Sequence, residues 1–415
     1  MKTVETRRRR GLRGRGGVGL WGPAFVAAIA YVDPGNVAAN LTAGARYGYL
    51  LVWVLVVACL IAVHVQYRSA KLGLVTGRSL PELLGERLRR PARLAFWAQA
   101  EVVAAATDVA EVVGGAIALH LLFDTPLLLG GLIVGVASMV LLAAQRRGQR
   151  SFEAVIVALL AVITVGFLSS LLVNPAPVGE VLGGMVPRFQ GTDSVLLAAS
   201  MLGATVMPHA IYLHSALARD RHGHVTEPGE QRRLLRATKH DVVAALVLAG
   251  GVNVAMLLTA ATSLSGVSGT DTIDGAHAAI GGALGPVVAT VFAVGLLASG
   301  LASTSVGCYA GATVMQGLLR VQVPLLARRA VTLVPALVVL AIGVDPTSAL
   351  VISQVVLSFG IPFALVGLVR LTSSRAVMGS QADGGATRLV NAACVVVIVA
   401  LNMSLVWLTV SRGGG

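Results

Sequence analysis

Two short stretches of this chain place reactive side chains inside runs that are otherwise apolar. Tyr31-Val32-Asp33-Pro34-Gly35-Asn36 interrupts the first long apolar segment, and Gly203-Ala204-Thr205-Val206-Met207-Pro208-His209 interrupts the sixth. Asp33 offers a carboxylate, Asn36 an amide oxygen and Met207 a thioether sulfur. Each stretch also carries a proline, which lacks a backbone donor and clashes with the preceding turn, and Gly35 loosens the first stretch further. Unwinding there frees carbonyls, among them those of Ala30 and Ala204. The sum is one carboxylate, several neutral oxygens and one soft sulfur. Oxygens alone would suit sodium, magnesium or calcium. A thioether is a poor partner for those ions and a better one for manganese, iron, cobalt, cadmium or zinc. The sulfur therefore acts chiefly against calcium and magnesium, and leaves manganese and ferrous iron unranked.

The elements that must hold these groups are membrane spans. The chain has 415 residues, 56% hydrophobic and only 12% charged, with a mean hydropathy of +0.82. A soluble domain carries about 25% charged residues. The apolar residues come in blocks long enough to cross a bilayer of about 30 Å as helices of roughly 20 residues. Eleven spans are predicted, near 21–45, 49–72, 94–122, 127–146, 152–174, 195–218, 240–262, 286–319, 328–343, 346–370 and 387–411. No cleavable signal peptide is visible; an Arg-rich tail (Arg7 to Arg10, Arg13, Arg15) runs straight into the first span.

A net charge of +13 could suggest nucleic acid, but the basic residues cluster in alternate loops, as topology signals do. With the N-terminus in the cytoplasm, the tail and the even-to-odd loops face inward. They carry Arg78, Arg87, Arg89, Arg90, Arg146, Arg147, Arg150, Arg219, Arg221, Arg232, Arg233, Arg236, Lys239, Arg320, Arg328, Arg329, Arg370, Arg375 and Arg388. Only Arg46, Arg188 and Arg412 face outward, beside Asp124, Glu180, Asp193, Asp271, Asp274 and Asp345. The C-terminus then lies outside. The tail is read as a topology signal rather than an anionic-lipid site. Cys59, Cys308 and Cys394 lie in apolar segments without a CxxC spacing, and are read as packing residues.

One break falls in span 1 and the other in span 6, five spans later. Two five-helix repeats of opposite orientation would give that spacing, and interrupted helices at corresponding positions point to a midplane transport site. The chain then divides into the tail (1–19), a first repeat (20–174), an outer loop (175–194), a second repeat (195–370), and a linker with an appended span 11 (371–415).

Span 3 carries a second chemistry. Glu101, Asp108 and Glu111 are seven and three residues apart and share one helical face, which must point into the bundle. A chain of buried carboxyls can pass a proton; the alternative is a static ion-pair network with Arg328 or Arg329. His209 can change charge near neutral pH or can bond a freed carbonyl. His214, about one turn further, lines the same pathway or packs. His222 and His224, with Glu227 and Glu230, read as a solvated loop. His64, His120, His240 and His277 have no ligand spacing.

These segments resemble the Nramp family (natural resistance-associated macrophage proteins). The residues that carry the likeness are Asp33-Pro34-Gly35-Asn36, Met207-Pro208-His209 with Tyr212-Leu213-His214-Ser215, and Thr107-Asp108-Val109-Ala110-Glu111. Gln66-Tyr67 with Ser69-Ala70-Lys71-Leu72-Gly73, and Ser353-Gln354-Val355-Val356-Leu357-Ser358-Phe359, also resemble family segments. The likeness runs from about residue 20 to 370. It implies an all-α membrane protein of the LeuT-type fold and metal–proton symport by alternating access. It implies a metal held by Asp33, Asn36 and Met207, with the Ala30 and Ala204 carbonyls, and by Gln354 in some states. It implies a proton route through Asp33, His209, Asp108 and Glu111, extended by Glu101, Arg328 and Arg329. Arg68 and His64 look more polar than the family norm, and are expected to face the inner vestibule. Gly360 stands where some relatives carry Gln, which puts a second span-10 ligand in doubt and not the site itself.

Other functions fit less well. A sodium–amino-acid symporter would present a helix N-terminus to a substrate carboxylate, which Asp33 would repel. Met207 opposes a magnesium-selective relative. A receptor of the same fold that moves nothing would not need the donor set. An enzyme fits least: no Walker motif, nucleophile elbow or zinc-protease motif stands in a fitting context. The expected partners are thus a divalent metal (Mn2+ or Fe2+, with Co2+ and Cd2+ as further cargo), the proton and membrane lipid. No nucleic acid and no cofactor are expected, and nothing calls for more than a monomer.

Overall fold

The structure, a computed structural model, describes residues 22–144, 149–270 and 272–413. The Arg-rich tail, Arg146, Arg147 and Asp271 lie outside the described residues. The described chain is helical. The first predicted span is two pieces: α1 (Pro23–Ala28), which tightens into a 3-10 turn at Ile29–Val32, and α2 (Pro34–Tyr47). There follow α3 (Val52–Thr76), α4 (Leu80–Arg87), α5 (Arg90–Phe123), α6 (Leu127–Ala144), α7 (Gln149–Val173) and α8 (Val178–Gly183). The sixth predicted span is also two pieces, α9 (Gly191–Thr205) and α10 (Pro208–His222). The remainder is α11 (Pro228–Ser263), α12 (Ile273–Leu284), α13 (Pro286–Leu319), α14 (Leu325–Ala341), α15 (Pro346–Thr372), α16 (Arg375–Met378) and α17 (Gly385–Gly413).

Among the described residues, eight helical segments are long and apolar enough to cross a membrane, and Pro23–Val32 and Leu127–Ala143 are shorter apolar helices. The outer surface fits that setting. Leu60, Leu172 and Trp407 are 66%, 85% and 68% exposed, on a face that would aggregate in water but is at home in lipid.

Prolines in the first turn start many of these helices, where the missing N–H has no intrahelical partner to lose. The structure adds α4, α8 and α12 inside stretches read as loops. Asp274, placed in an outer loop by the sequence reading, sits in the first turn of α12. Helix α4 has a capping box: Ser79 accepts from the Glu82 amide while Glu82 accepts from the Ser79 amide. Helix α11 begins at Pro228, about three turns before the predicted span 7.

Both broken helices run through the centre. The α1–α2 pair packs on α11, and α2 also meets α9, α15 and α5. Helices α9 and α10 both meet α3 and α15, and α10 also meets α13. Helix α13 lies along α5, so the acids of α5 are walled in by it. The approach at the first break depends on a missing side chain: a Cβ on Gly114 of α5 would overlap the Pro34 ring.

Candidate metal and proton site

At the first break Asp33 leaves the helical region (φ −72°, ψ 166°) and becomes the N-cap of α2. Its Oδ1 accepts from the Asn36 backbone N–H at 2.8 Å and from Asn36 Nδ2 at 2.7 Å. The same Nδ2 donates to the Ala204 carbonyl at 3.1 Å. One amide thus joins the carboxylate of the first broken helix to the backbone of the second. Its nitrogen faces two acceptors, so its own oxygen must turn away from them. Asn36 Oδ1 and Asp33 Oδ2 are both buried with no hydrogen-bond partner. Such groups are costly unless something else pairs with them.

The two prolines explain which carbonyls are released. Pro34 lies four residues after Ala30, and Pro208 four after Ala204. Neither can donate the i→i−4 bond that a helix would give those carbonyls. Met207, fully buried, is the N-cap of α10 and makes no side-chain cap bond. Gln354 of α15 lies against Gly35, where any Cβ would collide with its amide. Both Gln354 amide atoms are buried without a hydrogen-bond partner. Asp33, Asn36, Met207, Ala30, Ala204 and Gln354 therefore all sit at or beside the paired breaks. Among the described residues no group of three His, Cys, Asp or Glu could hold a metal, so any cation here depends on amides, carbonyls and sulfur around a single acid.

Two other freed carbonyls are already taken. Asn253 Nδ2 of α11 donates to the Tyr31 carbonyl at 2.6 Å, and Ser299 Oγ of α13 to the Val32 carbonyl at 2.5 Å. Asn253 is itself held by Asn40 Nδ2 at 2.8 Å. The sequence reading missed Asn40, Asn253 and Ser299. The available signal was an amide in mid-span, on the face that recurs with Ala249 and Met256.

The acids of α5 meet the arginines of α14. Arg329 Nη1 stands 3.2 Å from Asp108 Oδ1, and Arg328 Nη2 2.7 Å from Glu101 Oε1. Arg329 is fully buried and also donates to Ser138 Oγ at 2.8 Å. The ion pairs anticipated as the static alternative are thus present for two of the acids. Glu111 differs: it is fully buried, and neither of its oxygens has a hydrogen-bond partner. It feels the charges of Asp108, Asp33 and Arg329 without making a direct ion pair, and Gly307 of α13 leaves room for its carboxylate.

The histidines separate in the same way. His209, in the first turn of α10, is buried with both ring nitrogens unpaired. His214 Nδ1 meets Gln66 Oε1 at 2.8 Å, and Gln66 Nε2 donates to the Tyr31 hydroxyl at 2.7 Å. His222 lines a small cavity with Pro23, His214 and Asp241, while Glu227 and Glu230 are exposed. His64 and Arg68 correct the expectation of a vestibule. His64 Nε2 meets Asn391 Oδ1 at 2.7 Å, and Arg68 and Lys71 pair with buried Asp383 at 3.0 and 3.3 Å. Arg68 turns to the segment before α17, where a buried carboxylate needs cations, and His64 turns to the Asn391 amide of α17.

The Nramp family model, natural resistance-associated macrophage protein-like, matches residues 24–408. The chain belongs to the Nramp family. This Nramp protein is 62% identical over 393 residues to the divalent metal cation transporter MntH of Mycobacterium tuberculosis, covering 94% of this chain and 92% of that one. The crystal structure of the Eremococcus coleocola manganese transporter, in complex with an aromatic bis-isothiourea substituted compound, superposes with a TM-score of 0.85. That pair is 31% identical and covers 92% of this chain and 85% of that one. MhsT in complex with L-phenylalanine superposes with a TM-score of 0.62 at 14% identity, over 92% of this chain and 98% of that one, a likeness of fold alone. The fold is of the LeuT type, and the protein is a multi-pass membrane protein.

Proposed function

We propose that this chain imports Mn2+ or Fe2+ across the bacterial cytoplasmic membrane together with protons, by alternating access around the paired breaks. The observation that carries the reading is the Asn36 bridge between the Asp33 carboxylate and the Ala204 carbonyl, with Asp33 Oδ2 and Asn36 Oδ1 left unpaired. The names of the relatives point the same way. Asp33, Asn36 and Met207 bind the cation, the Ala30 and Ala204 carbonyls complete the ring, and Gln354 joins in some states. Co2+ and Cd2+ would pass by the same chemistry.

Proton coupling follows from ligand chemistry. A carboxylate must be deprotonated to hold a metal, so binding releases its proton. Glu111 makes no direct ion pair, feels the Asp33 charge, and can take that proton. Asp108 and Glu101, paired with Arg329 and Arg328, then lead it toward the cytoplasm. His209 and His214, on α10 beyond the second break, serve the same transfer. The N-terminus is cytoplasmic and the C-terminus outside. Residues 20–174 and 195–370 form the two inverted repeats, and a monomer suffices.

The test is uptake by the full chain in proteoliposomes holding a pH-sensitive dye. Manganese should accumulate while the lumen acidifies, and Asp33→Ala should do neither. An Asp33→Ala chain that carries manganese at the wild-type rate would place the site elsewhere.

A further inference from the structure

A broken helix releases its carbonyls, and each buried one needs a new donor. Three consecutive carbonyls are at issue at the first break. The Asn36 amide, which a continuous helix would give to Val32, is turned onto the Asp33 carboxylate instead. Pro34 has no amide for Ala30. The Tyr31 carbonyl takes Asn253 Nδ2 at 2.6 Å, and the Val32 carbonyl takes Ser299 Oγ at 2.5 Å. The Ala30 carbonyl has no such side-chain donor among the described residues. At the second break, Asn36, itself proposed as part of the site, is the side chain among the described residues that donates to the Ala204 carbonyl.

We infer that Ser299 is a positioning residue that selects the metal ligands: by occupying the Val32 carbonyl it leaves Ala30 as the backbone oxygen of the first break open to a cation, and it fixes the direction of Asp33, the next residue. The inference rests on the transport reading above and adds to it a determinant on a helix that contributes no ligand. The serine is well suited to the task. It is fully buried on the long helix α13, one of whose neighbouring positions, Gly300, packs directly on the Glu111 backbone. Ser303 Oγ, one turn on, donates to the Ser299 carbonyl at 2.6 Å, so the hydroxyl is presented from a braced backbone.

The consequence concerns selectivity. A released Val32 carbonyl adds a hard, neutral oxygen next to Asp33. Calcium takes 6–8 oxygen ligands in flexible geometry, so an extra carbonyl favours calcium over the softer ions that the sulfur recruits. Loss of the hydroxyl also lets the Asp33 carboxylate wander, which weakens ground-state binding of manganese more than turnover.

The experiment compares wild type with Ser299→Ala, Ser299→Thr and Ser299→Val, each as the full chain in proteoliposomes. Thr and Val have the same shape and differ only in the hydroxyl, so their contrast is free of any effect of the added methyl. Initial Mn2+ uptake is measured against Mn2+ concentration, with and without Ca2+ as competitor. For Ala and Val, KM for Mn2+ should rise about five- to tenfold, the effect of one buried hydrogen bond. Vmax should stay within about twofold, and Ca2+ should inhibit at a several-fold lower concentration. Thr should track wild type. Indistinguishable Thr and Val would overturn the inference, as would a fall in Vmax with KM and calcium inhibition unmoved, the mark of a merely structural serine. A wild-type chain that moves no Mn2+ is a separate result: it overturns the transport reading and this inference with it.

Discussion

The two broken helices share a backbone defect and divide the chemistry. Each stops at a residue in an extended conformation before a proline, and each strands the carbonyl four residues upstream of that proline. The first break is crowded with fixed partners. Asp33 caps its own helix, Asn36 bonds it twice, and Asn253 and Ser299 hold the two carbonyls just before it. The second break has no charge and no side-chain cap; its carbonyl is held by an amide from the other helix, and its distinctive donor is the Met207 sulfur. Position and charge thus reside in one break, and softness in the other. A topologically repeated element need not repeat its chemistry.

The comparison is broken most severely by removing the charge. Asp33→Ala should cut initial manganese uptake by about a hundredfold or more, since the proposed charged ligand and its hydrogen bonds disappear together. Retention of even a tenth of the wild-type rate would mean that the second break can hold the ion alone. Crowding the charged break should act next. Gly35→Ala places a methyl on the Gln354 amide, and the strain should cost about tenfold in uptake, with Gln354→Ala in the same chain recovering part of it. No recovery in the double variant would show that the collision is not with Gln354. The soft break should be gentler on rate. Met207→Ala should leave manganese uptake within about threefold while calcium and magnesium begin to compete, measured as the concentration of each that halves manganese uptake. Unchanged competition would remove the sulfur from the selectivity argument.

Much of this was legible in the sequence because the cues are local. A proline beside an acid or a methionine inside an apolar run marks a break without any tertiary knowledge, and Pro34 and Pro208 identify Ala30 and Ala204 by counting back four. The acids of α5 were legible as one face for the same reason. What was not legible depends on distant pairing. Ser299 lies 267 residues from Val32 and looks like any small residue of a packed membrane helix. Asp383 lies in a stretch read as linker, yet it is buried against Arg68, 315 residues away, and so turns two residues expected at a vestibule toward the last helix. Helix α4 is a different case: its capping box at Ser79 and Glu82 was readable, but eight residues are too few to stand out by periodicity.

The smallest effect on manganese itself is expected away from both breaks, at Glu111. Asp108 and Glu101 each face an arginine, so neutralising either would strand a buried cation and disturb the fold. Glu111 has no hydrogen-bond partner to lose. Glu111→Gln keeps the shape and deletes only the carboxylate proposed to accept the proton from Asp33. Manganese uptake should therefore stay within about twofold, while the proton flux read by the luminal dye falls by about tenfold, the lower part of the range for a lost acid–base group. Equal losses of both fluxes would make Glu111 a structural acid like its neighbours, and the proton would have to leave Asp33 by another path, of which unpaired His209 is the nearest alternative on α10.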